Sequence, residues 1–395
     1  MTASPGLRGL FGPAGRMTMA FYVAIFSALG AWLPFWPLWL EDWGLSQAEI
    51  GLWLGVAIFA RIAAGVGAPW LADLTGRRRT ALALLSLVGV IAYAAPGWVE
   101  TRAALFALTL LGAVALSGTI PLGDALATAA GRRHGFAYAP ARAVGSAAFL
   151  AANLLCGWAI ARWGIDAAQW WIVASLAALA AVSLAHPGGA RDTADPRLDF
   201  AAALRLARST PFLLAALASA ALQAAHGPLY AYGSVHWRAQ GIDAELIGAL
   251  WAIGVAAEVA LMLAFGAALT ERLGVAGAFA LAGAAGLARW SAMAFDPALA
   301  WLWPLQIGHA LTFAPAHLAM VAFVAKAAPP GASATAQGLI GAGAGGLAMA
   351  AATLGAAAAF PAFGGGVYWI GAALSALGLG AAWALARRWD GGRAA

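Results

Sequence analysis

Apolar runs long enough to cross a bilayer recur from one end of this chain to the other, and no other feature restricts its fold as strongly. A helix needs ~20 mainly apolar residues to span the hydrocarbon. Twelve such runs are read, at residues 17–40, 49–72, 79–98, 103–130, 136–161, 168–186, 210–237, 245–269, 274–295, 299–325, 332–359 and 365–386. Membrane β-strands would instead alternate apolar and polar positions in segments of ~10 residues. Only 10% of the 395 residues are charged and 63% are apolar, against roughly 25% charged in a soluble domain. These numbers exclude a disordered chain as well. The reading is an all-α membrane protein of twelve transmembrane helices. The first run continues through Pro34 and Pro37 to Trp39 and is too long for a signal-peptide core, so it is read as a span. The single cysteine, Cys156, excludes an internal disulfide and a multi-cysteine metal site.

The net charge of +6 suggests nucleic-acid binding until the basic residues are placed. With both termini cytoplasmic, sixteen of the 22 Lys and Arg residues fall on the inside, three fall in outer loops (Arg102, Arg162, Arg238), and three lie within spans (Arg61, Arg142, Arg289). That asymmetry is the positive-inside rule at work. It accounts for the charge without nucleic acid and predicts a multi-pass protein of an inner, plasma-type membrane. The longest polar segment, 187–209, separates spans six and seven. It predicts an N-terminal six-helix bundle over 1–186, a cytoplasmic linker over 187–209 with an amphipathic helix near 198–208, and a C-terminal bundle over 210–395.

The two halves repeat at a shift of 197 residues. Gly44-Leu-Ser-Gln-Ala-Glu-Ile-Gly51 aligns with Gly241-Ile-Asp-Ala-Glu-Leu-Ile-Gly248. Gly30 falls on Gly227, Phe35 on Tyr232 and Arg61 on Glu258. Six spans repeated in one orientation imply two pseudo-symmetric six-helix bundles about an axis along the membrane normal. This plan resembles that of major facilitator transporters, with substrate bound between the halves.

A charge in the hydrocarbon is costly, by ~2.5–3.5 kcal/mol on insertion scales, and such residues face a cavity or a partner. The candidates are Arg61, Asp124, Arg142, Glu258 and Arg289, with His309 as a titratable neighbour. Residues equally far from the turn of a helical hairpin sit at equal depth. Asp124 and Arg142 each lie nine residues from Arg133, about 13 Å at 1.5 Å per residue, and can pair directly. Glu258 and Arg289 mirror each other about the Leu273–Gly274 turn, and Arg289 and His309 about Leu299. One layer of the C-terminal half can therefore hold Glu258, Arg289 and His309. Burial favours a carboxyl's neutral form and a nearby guanidinium its anion, so Glu258 is read as the proton carrier, with Arg289 and His309 tuning it. Arg142 offers a bidentate fork to a substrate carboxylate or to sugar hydroxyls, held ready by Asp124, and Arg61, the repeat mate of Glu258, is read as contacting the substrate anion or pairing across the interface between the halves. The alternative is that these pairs only hold helices together, a task Ser, Thr or Gly perform more cheaply.

Between spans two and three, Pro69-Trp-Leu-Ala-Asp73-Leu-Thr-Gly76-Arg77-Arg78-Arg79 resembles the major facilitator inner-loop signature Gly-x-x-x-Asp-Arg-x-Gly-Arg-Arg. It departs at Pro69 and at Leu74. The resemblance implies a cytoplasmic gate latch built from Asp73, Gly76, Arg77 and Arg78. The chain is also similar to the proton-coupled lactose permease group, above all its 3-phenylpropionate permease-like branch. The segments that carry this are Leu33-Pro-Phe-Trp36, Pro121-Leu-Gly-Asp-Ala-Leu-Ala127, Tyr138-Ala-Pro-Ala-Arg-Ala-Val-Gly-Ser146, Gln223-Ala-Ala-His226, Leu250-Trp-Ala-Ile-Gly-Val-Ala-Ala-Glu258, Ala288-Arg-Trp290 and residues 309–318. The similarity implies substrate binding by Asp124 and Arg142 and proton coupling by Glu258, Arg289 and His309. A further family acid, three residues after the His, is replaced here by Thr312.

Trp32, Trp36 and Trp39 form a stripe at helical spacing, read either as packing or as a stacking surface for an aromatic substrate. Gln223, His226 and Tyr230 share a helix face and either line the cavity or bond helix to helix. The run Gly341-Ala-Gly-Ala-Gly-Gly346 lacks the strand and Lys-Ser/Thr of a phosphate loop, and close helix packing is expected there. Neither an enzyme's nucleophile–base constellation nor a nucleotide-binding loop is visible. The expectation is a non-enzymatic, monomeric secondary transporter powered by the proton gradient, with no bound cofactor. Its cargo is a small organic solute, with an aromatic carboxylate favoured over a sugar or nucleoside, and symport favoured over an efflux antiport.

Overall fold

A computed structural model describes residues 9–188, 200–329 and 332–394 of the chain. Among them helices dominate and no strand occurs. The first half contains α1 (Pro13–Asp42), α2 (Gln47–Thr75), α3 (Arg78–Ala94), α4 (Arg102–His134), α5 (Tyr138–Trp163) and α6 (Asp166–Ala185). A short helix, α7 (Phe200–Ala207), follows where the linker helix is expected; residues 189–199 of that linker lie outside the described residues. The second half contains α8 (Thr210–Ala224), α9 (Gly227–Ala239), α10 (Ala244–Met293), α11 (Leu299–Ile307), α12 (His309–Ala327), α13 (Ser333–Gly338), α14 (Gly346–Phe363) and α15 (Tyr368–Arg388).

Among the described residues, eleven apolar helical stretches are long enough to cross a membrane. The last, Thr335–Arg388, runs for 54 residues and contains the 3₁₀ turn Gly364–Val367, so it holds more than one helix. The burial pattern is that of a protein dissolved in lipid. Leu263, Trp98, Trp163 and Trp70 lie exposed, while Asn153, His226 and Arg289 are buried. Polar groups go inside when the solvent cannot hydrogen-bond.

The repeat is visible in the backbone. Gly44 and Gly241 both turn at positive φ, 104° and 83°, where a side chain would be strained. Two residues later each copy caps the next helix. Ser46 and Glu49 form a capping box, with Ser46 N–H donating to Glu49 Oε2 at 2.8 Å and Glu49 N–H to Ser46 Oγ at 3.3 Å. In the second copy Asp243 Oδ1 accepts from Leu246 N–H at 2.8 Å. Gly76, between α2 and α3, and Gly274, inside α10, both have φ of 68°. That bend divides α10 into two helices, as the sequence pattern of two runs requires.

The helices pack into two compact units. The first holds residues 1–45, 59–194 and 241–252, and the second residues 46–58, 195–240 and 253–395. Each sequence half thus lends a short segment to the other unit, and the repeat glycines explain how these segments fit. In the first unit a Cβ on Gly248 would collide with Asn153 O. In the second, a Cβ on its repeat mate Gly51 would collide with the Tyr232 hydroxyl, which itself donates to Gln47 O at 2.7 Å. Small residues let helices approach to backbone contact. In the second unit the core is built from Phe212, Phe279, Phe323, Ile340 and Leu385 with many Ala residues between them. Most of the Gly-rich run 341–346 lies in a π-helical turn over Leu339–Gly345 that packs against α8, as expected of it, although a Cβ on Gly341 would meet nothing within 4 Å.

Just beyond the last residue of α6, His186 is sealed against α1. Its Nδ1 accepts from Gly188 N–H at 3.2 Å, so the proton sits on Nε2, 3.4 Å from Thr18 Oγ1. Thr18 in turn donates to Ala14 O at 2.9 Å. Burial, and the positive charge of Arg79, push this imidazole down to about 4. A second proton would set Nδ1–H against the Gly188 N–H.

Three consequences are measurable. Gly123→Val would drive a side chain into the Phe21 ring, since even a Cβ there overlaps it; it should cost about 1–3 kcal/mol, seen as a lower Tm in detergent. Gly274→Ala meets no atom within 4 Å, yet should cost about 1–3 kcal/mol, because φ 68° with ψ 176° is a backbone conformation open to glycine almost alone. Because His186 is held neutral in the fold, its contribution is complete above about pH 6.5 and fades as pH falls towards about 4. Tm should drop across that window, and His186→Gln should flatten the drop.

Candidate functional site

The C-terminal titratable residues meet where two helices are interrupted. The expected span over 210–237 breaks at residues 225–226 between α8 and α9, and the span over 299–325 breaks at Gly308 between α11 and α12. Each break frees carbonyls that a lipid environment cannot satisfy, so side chains must. At the first, His226 Nδ1 lies 3.2 Å from both Leu222 O and Gln223 O. At the second, Arg289 Nε donates to Leu305 O at 2.6 Å. Arg289 also donates from Nη2 to Gln306 Oε1 at 3.0 Å and from Nη1 to Thr312 Oγ1 at 3.2 Å. The guanidinium is 3% exposed and lies 4.2 Å from the Trp290 ring centroid.

Thr312 is the hub of this cluster. The two carbonyls facing His226 Nδ1 place its proton there, so His226 Nε2 accepts from the Thr312 hydroxyl at 3.1 Å. The same hydroxyl has an alternative acceptor in His309 O at 3.0 Å. His309 turns its Nε2 to Glu258 Oε2 at 3.2 Å. Its ring meets His226 edge-on at 5.1 Å and stacks on Phe313 at 5.4 Å; Phe313 stacks on His317 at 6.1 Å. Glu258, Arg289 and His309 are thus in one cluster, but the contacts divide them. Within this cluster the carboxyl–imidazole contact is Glu258–His309, and the side-chain bonds of Arg289 go to neutral oxygens. The Glu258 side chain is 16% exposed, so one side of the pair remains open.

Asp124 and Arg142 lie in the first unit, on α4 and α5. They form no ion pair within 4.0 Å among the described residues; both contact Tyr22 of α1 instead. Its hydroxyl donates to Asp124 Oδ1 at 2.6 Å, and its ring faces Arg142 at 5.5 Å. The guanidinium lies closer still to the Phe26 ring, at 4.0 Å. The direct pairing expected from hairpin depth is therefore replaced by an aromatic bridge. Equal depth left room for a third side chain from a neighbouring helix.

Arg61, on α2, lies over the Trp32 ring at 5.4 Å, and its carbonyl accepts from Ser117 Oγ at 2.8 Å. Trp36 stacks on Trp39 at 4.8 Å with planes 3° apart and meets the Tyr93 edge, also at 4.8 Å. Trp39 is committed to packing, with Nε1 donating to Asp166 Oδ1 at 2.9 Å. Gln223 is half-buried, and Tyr230 stacks on His226 at 5.8 Å. In the gate motif, Gly76 turns at φ 68°, Arg77 N–H donates to Ala72 O at 3.2 Å, and Arg78 opens α3. The Asp73 side chain lies outside the described residues.

Tyr22, Phe26, Tyr93 and Gln306 belong to these groups although the sequence pattern does not single them out. Gln306 carries a readable signal, being an amide in an apolar span two residues before Gly308. The aromatic residues carry none, because nothing in a linear pattern separates a bridging tyrosine from a packed one.

A family model described as "MFS_1 like family" matches residues 16–376. The "Probable 3-phenylpropionic acid transporter" of Escherichia coli (strain K12) is 30% identical over 314 residues, 77% of this chain and 80% of that protein. The "Maltose permease" of Geobacillus stearothermophilus is 31% identical over 355 residues, 85% of this chain and 86% of that one. Among solved structures, a nucleoside transporter superposes with a TM-score of 0.79 at 16% identity, covering 95% of this chain and 99% of the other. A bacterial homologue of the human lysosomal transporter Spinster, inward-facing and unoccupied, gives a TM-score of 0.63 at 17% identity, covering 98% and 96%. These structures show a shared fold. With a family model matching residues 16–376 and a relative 30% identical over 77% of its length, the chain belongs to the MFS_1-like family of the major facilitator transporters.

Proposed function

We propose that this transporter couples uptake of a small aromatic carboxylate, such as 3-phenylpropionate, to proton entry across a bacterial inner membrane, with both termini cytoplasmic. The observation that carries the coupling half is the Glu258–His309 contact at 3.2 Å. One proton placed between a carboxylate oxygen and an imidazole nitrogen can rest on either. Arg289 does not lock Glu258 as an anion, because its donors are committed to Leu305, Gln306 and Thr312. Glu258 is then free to load a proton on one side and release it on the other. The gradient supplies the work, since one charge crossing 100 mV is worth ~2.3 kcal/mol. The named activity of the E. coli relative supports the cargo. Asp124 and Arg142, joined through Tyr22, supply polar contacts for the solute.

A sugar cargo is the competing reading, supported by the maltose permease relative. Uptake of labelled 3-phenylpropionate and of maltose into proteoliposomes, with and without a pH gradient, separates the two. Accumulation of the acid that follows the gradient supports the proposal; accumulation of maltose alone overturns the cargo.

Glu258→Gln should abolish gradient-driven accumulation while sparing counterflow exchange, and normal accumulation by that variant would remove Glu258 from the coupling role. Thr312→Val leaves an Arg289 donor and the His226 nitrogen without their oxygen, at about 1–3 kcal/mol for an unsatisfied buried group. Its Tm should fall and its uptake rate should drop at least several-fold, whereas Thr312→Ser should retain both.

A further inference from the structure

The N-terminal unit holds a second polar group whose chemistry is one-sided. Trp36 Nε1 is buried with no hydrogen-bond partner, and the buried Trp32 Nε1 and Tyr93 hydroxyl face each other without closing to 3.5 Å. Indole N–H groups can only donate, and a guanidinium carries five donors and no acceptor. Arg61 stands over the Trp32 ring, and among the described residues none of its side-chain nitrogens meets an oxygen. Its own carbonyl is already used by Ser117. The contrast with Arg289 is direct, since all three of that residue's side-chain nitrogens reach oxygens. Asp124, the acid of the neighbouring group, accepts from Tyr22. The Arg61 group therefore has surplus positive charge, unused donors and a shortage of acceptors.

These residues are also arranged around flat apolar surfaces. Trp32 and Trp36 lie one helical turn apart on α1 and so share a face. The Tyr93 ring meets Trp36 edge-on at 4.8 Å, with planes at 85°. Trp36 and Tyr93 are each 1% exposed, while Arg61 and Trp32 are half-buried.

We propose that Arg61, Trp32, Trp36 and Tyr93 form a carboxylate subsite, distinct from the group of Asp124, Tyr22 and Arg142. A carboxylate brings the missing negative charge and two acceptor oxygens for the Arg61 guanidinium and the buried N–H and O–H groups beside it. The subsite rests on the aromatic-acid reading above and names the residues that take the charged end of the cargo. Arg61 occupies the position that its repeat mate Glu258 holds in the other half. The two related positions would then divide the work, one taking the anion and the other the proton.

The test is direct binding to the purified full-length protein in detergent, by calorimetry, of three probes: benzoate, 3-phenylpropionate and the neutral 3-phenylpropionamide. Wild type should prefer the acids to the amide. Arg61→Gln should weaken the acids by about tenfold or more and leave the amide unchanged, as loss of a charged hydrogen bond requires. Arg61→Lys should recover part of the loss. Tyr93→Phe should weaken only the acids, by about threefold. Arg162→Gln, the same charge change at an exposed site over Trp158, should alter nothing. The subsite is overturned if Arg61→Gln keeps the acid preference, if acid and amide weaken together, or if no acid binds wild type at millimolar concentration. Vesicle uptake separates this result from the function. Benzoate binding that depends on Arg61 without phenylpropionate uptake upholds the subsite and removes the cargo. Uptake whose acid preference ignores Arg61 upholds the cargo and removes the subsite.

Discussion

A guanidinium that is 3% exposed inside an apolar protein survives only if its donors find oxygens. Arg289 finds them because the helix opposite is broken. At Gly308 the regular ladder stops, Leu305 O is released, and Arg289 Nε donates to it at 2.6 Å. Gln306 and Thr312, on either side of the break, complete the shell. His226 does the same at the break between α8 and α9. The two interruptions and the two side chains support each other, since neither the open carbonyls nor the buried donors are tolerable alone. The rest of the cluster follows. With Arg289 occupied, Glu258 is left to His309.

The repeat shows what duplication retained. Backbone devices are shared between the halves: Gly44 and Gly241 turn alike, Ser46 and Asp243 cap alike, and Gly51 and Gly248 each allow a close approach that a side chain would block. The chemistry is not shared. Arg61 and Glu258 carry opposite charges at related positions, and the tyrosine that bridges Asp124 to Arg142 has no role in the other cluster. Turns and close contacts tolerate few residue types, so they hold both copies to one pattern.

Depth is legible in the sequence, because helical rise is constant and hairpin turns are marked by Gly and Arg. Hairpin arithmetic places Glu258, Arg289 and His309 at one level, and they do share a cluster. It places Asp124 beside Arg142 as well, and there Tyr22 stands as a bridge. The difference lies in a dimension that hairpin arithmetic lacks. Rotation about each helix axis, and which third helix fills the gap, depend on packing among α1, α4 and α5. The π-helical turn at Leu339–Gly345 has the same origin, since a Gly-rich run can make its contact through a regular or an irregular turn equally well.

By itself, the sequence determined the solvent, the secondary structure and the inventory of chemistry. Long apolar runs with 10% charge require lipid and closed helical hydrogen bonding, and the five charged side chains away from the ends of those runs are the candidates for function. What only the tertiary structure decided is partnership: that Glu258 faces His309, that Arg289 serves a broken helix, and that Tyr22 bridges an acid and an arginine. The physical reason is one of range. Burial and helix formation respond to composition averaged over about twenty residues, whereas a hydrogen bond is decided within a fraction of an ångström by helices far apart in the chain.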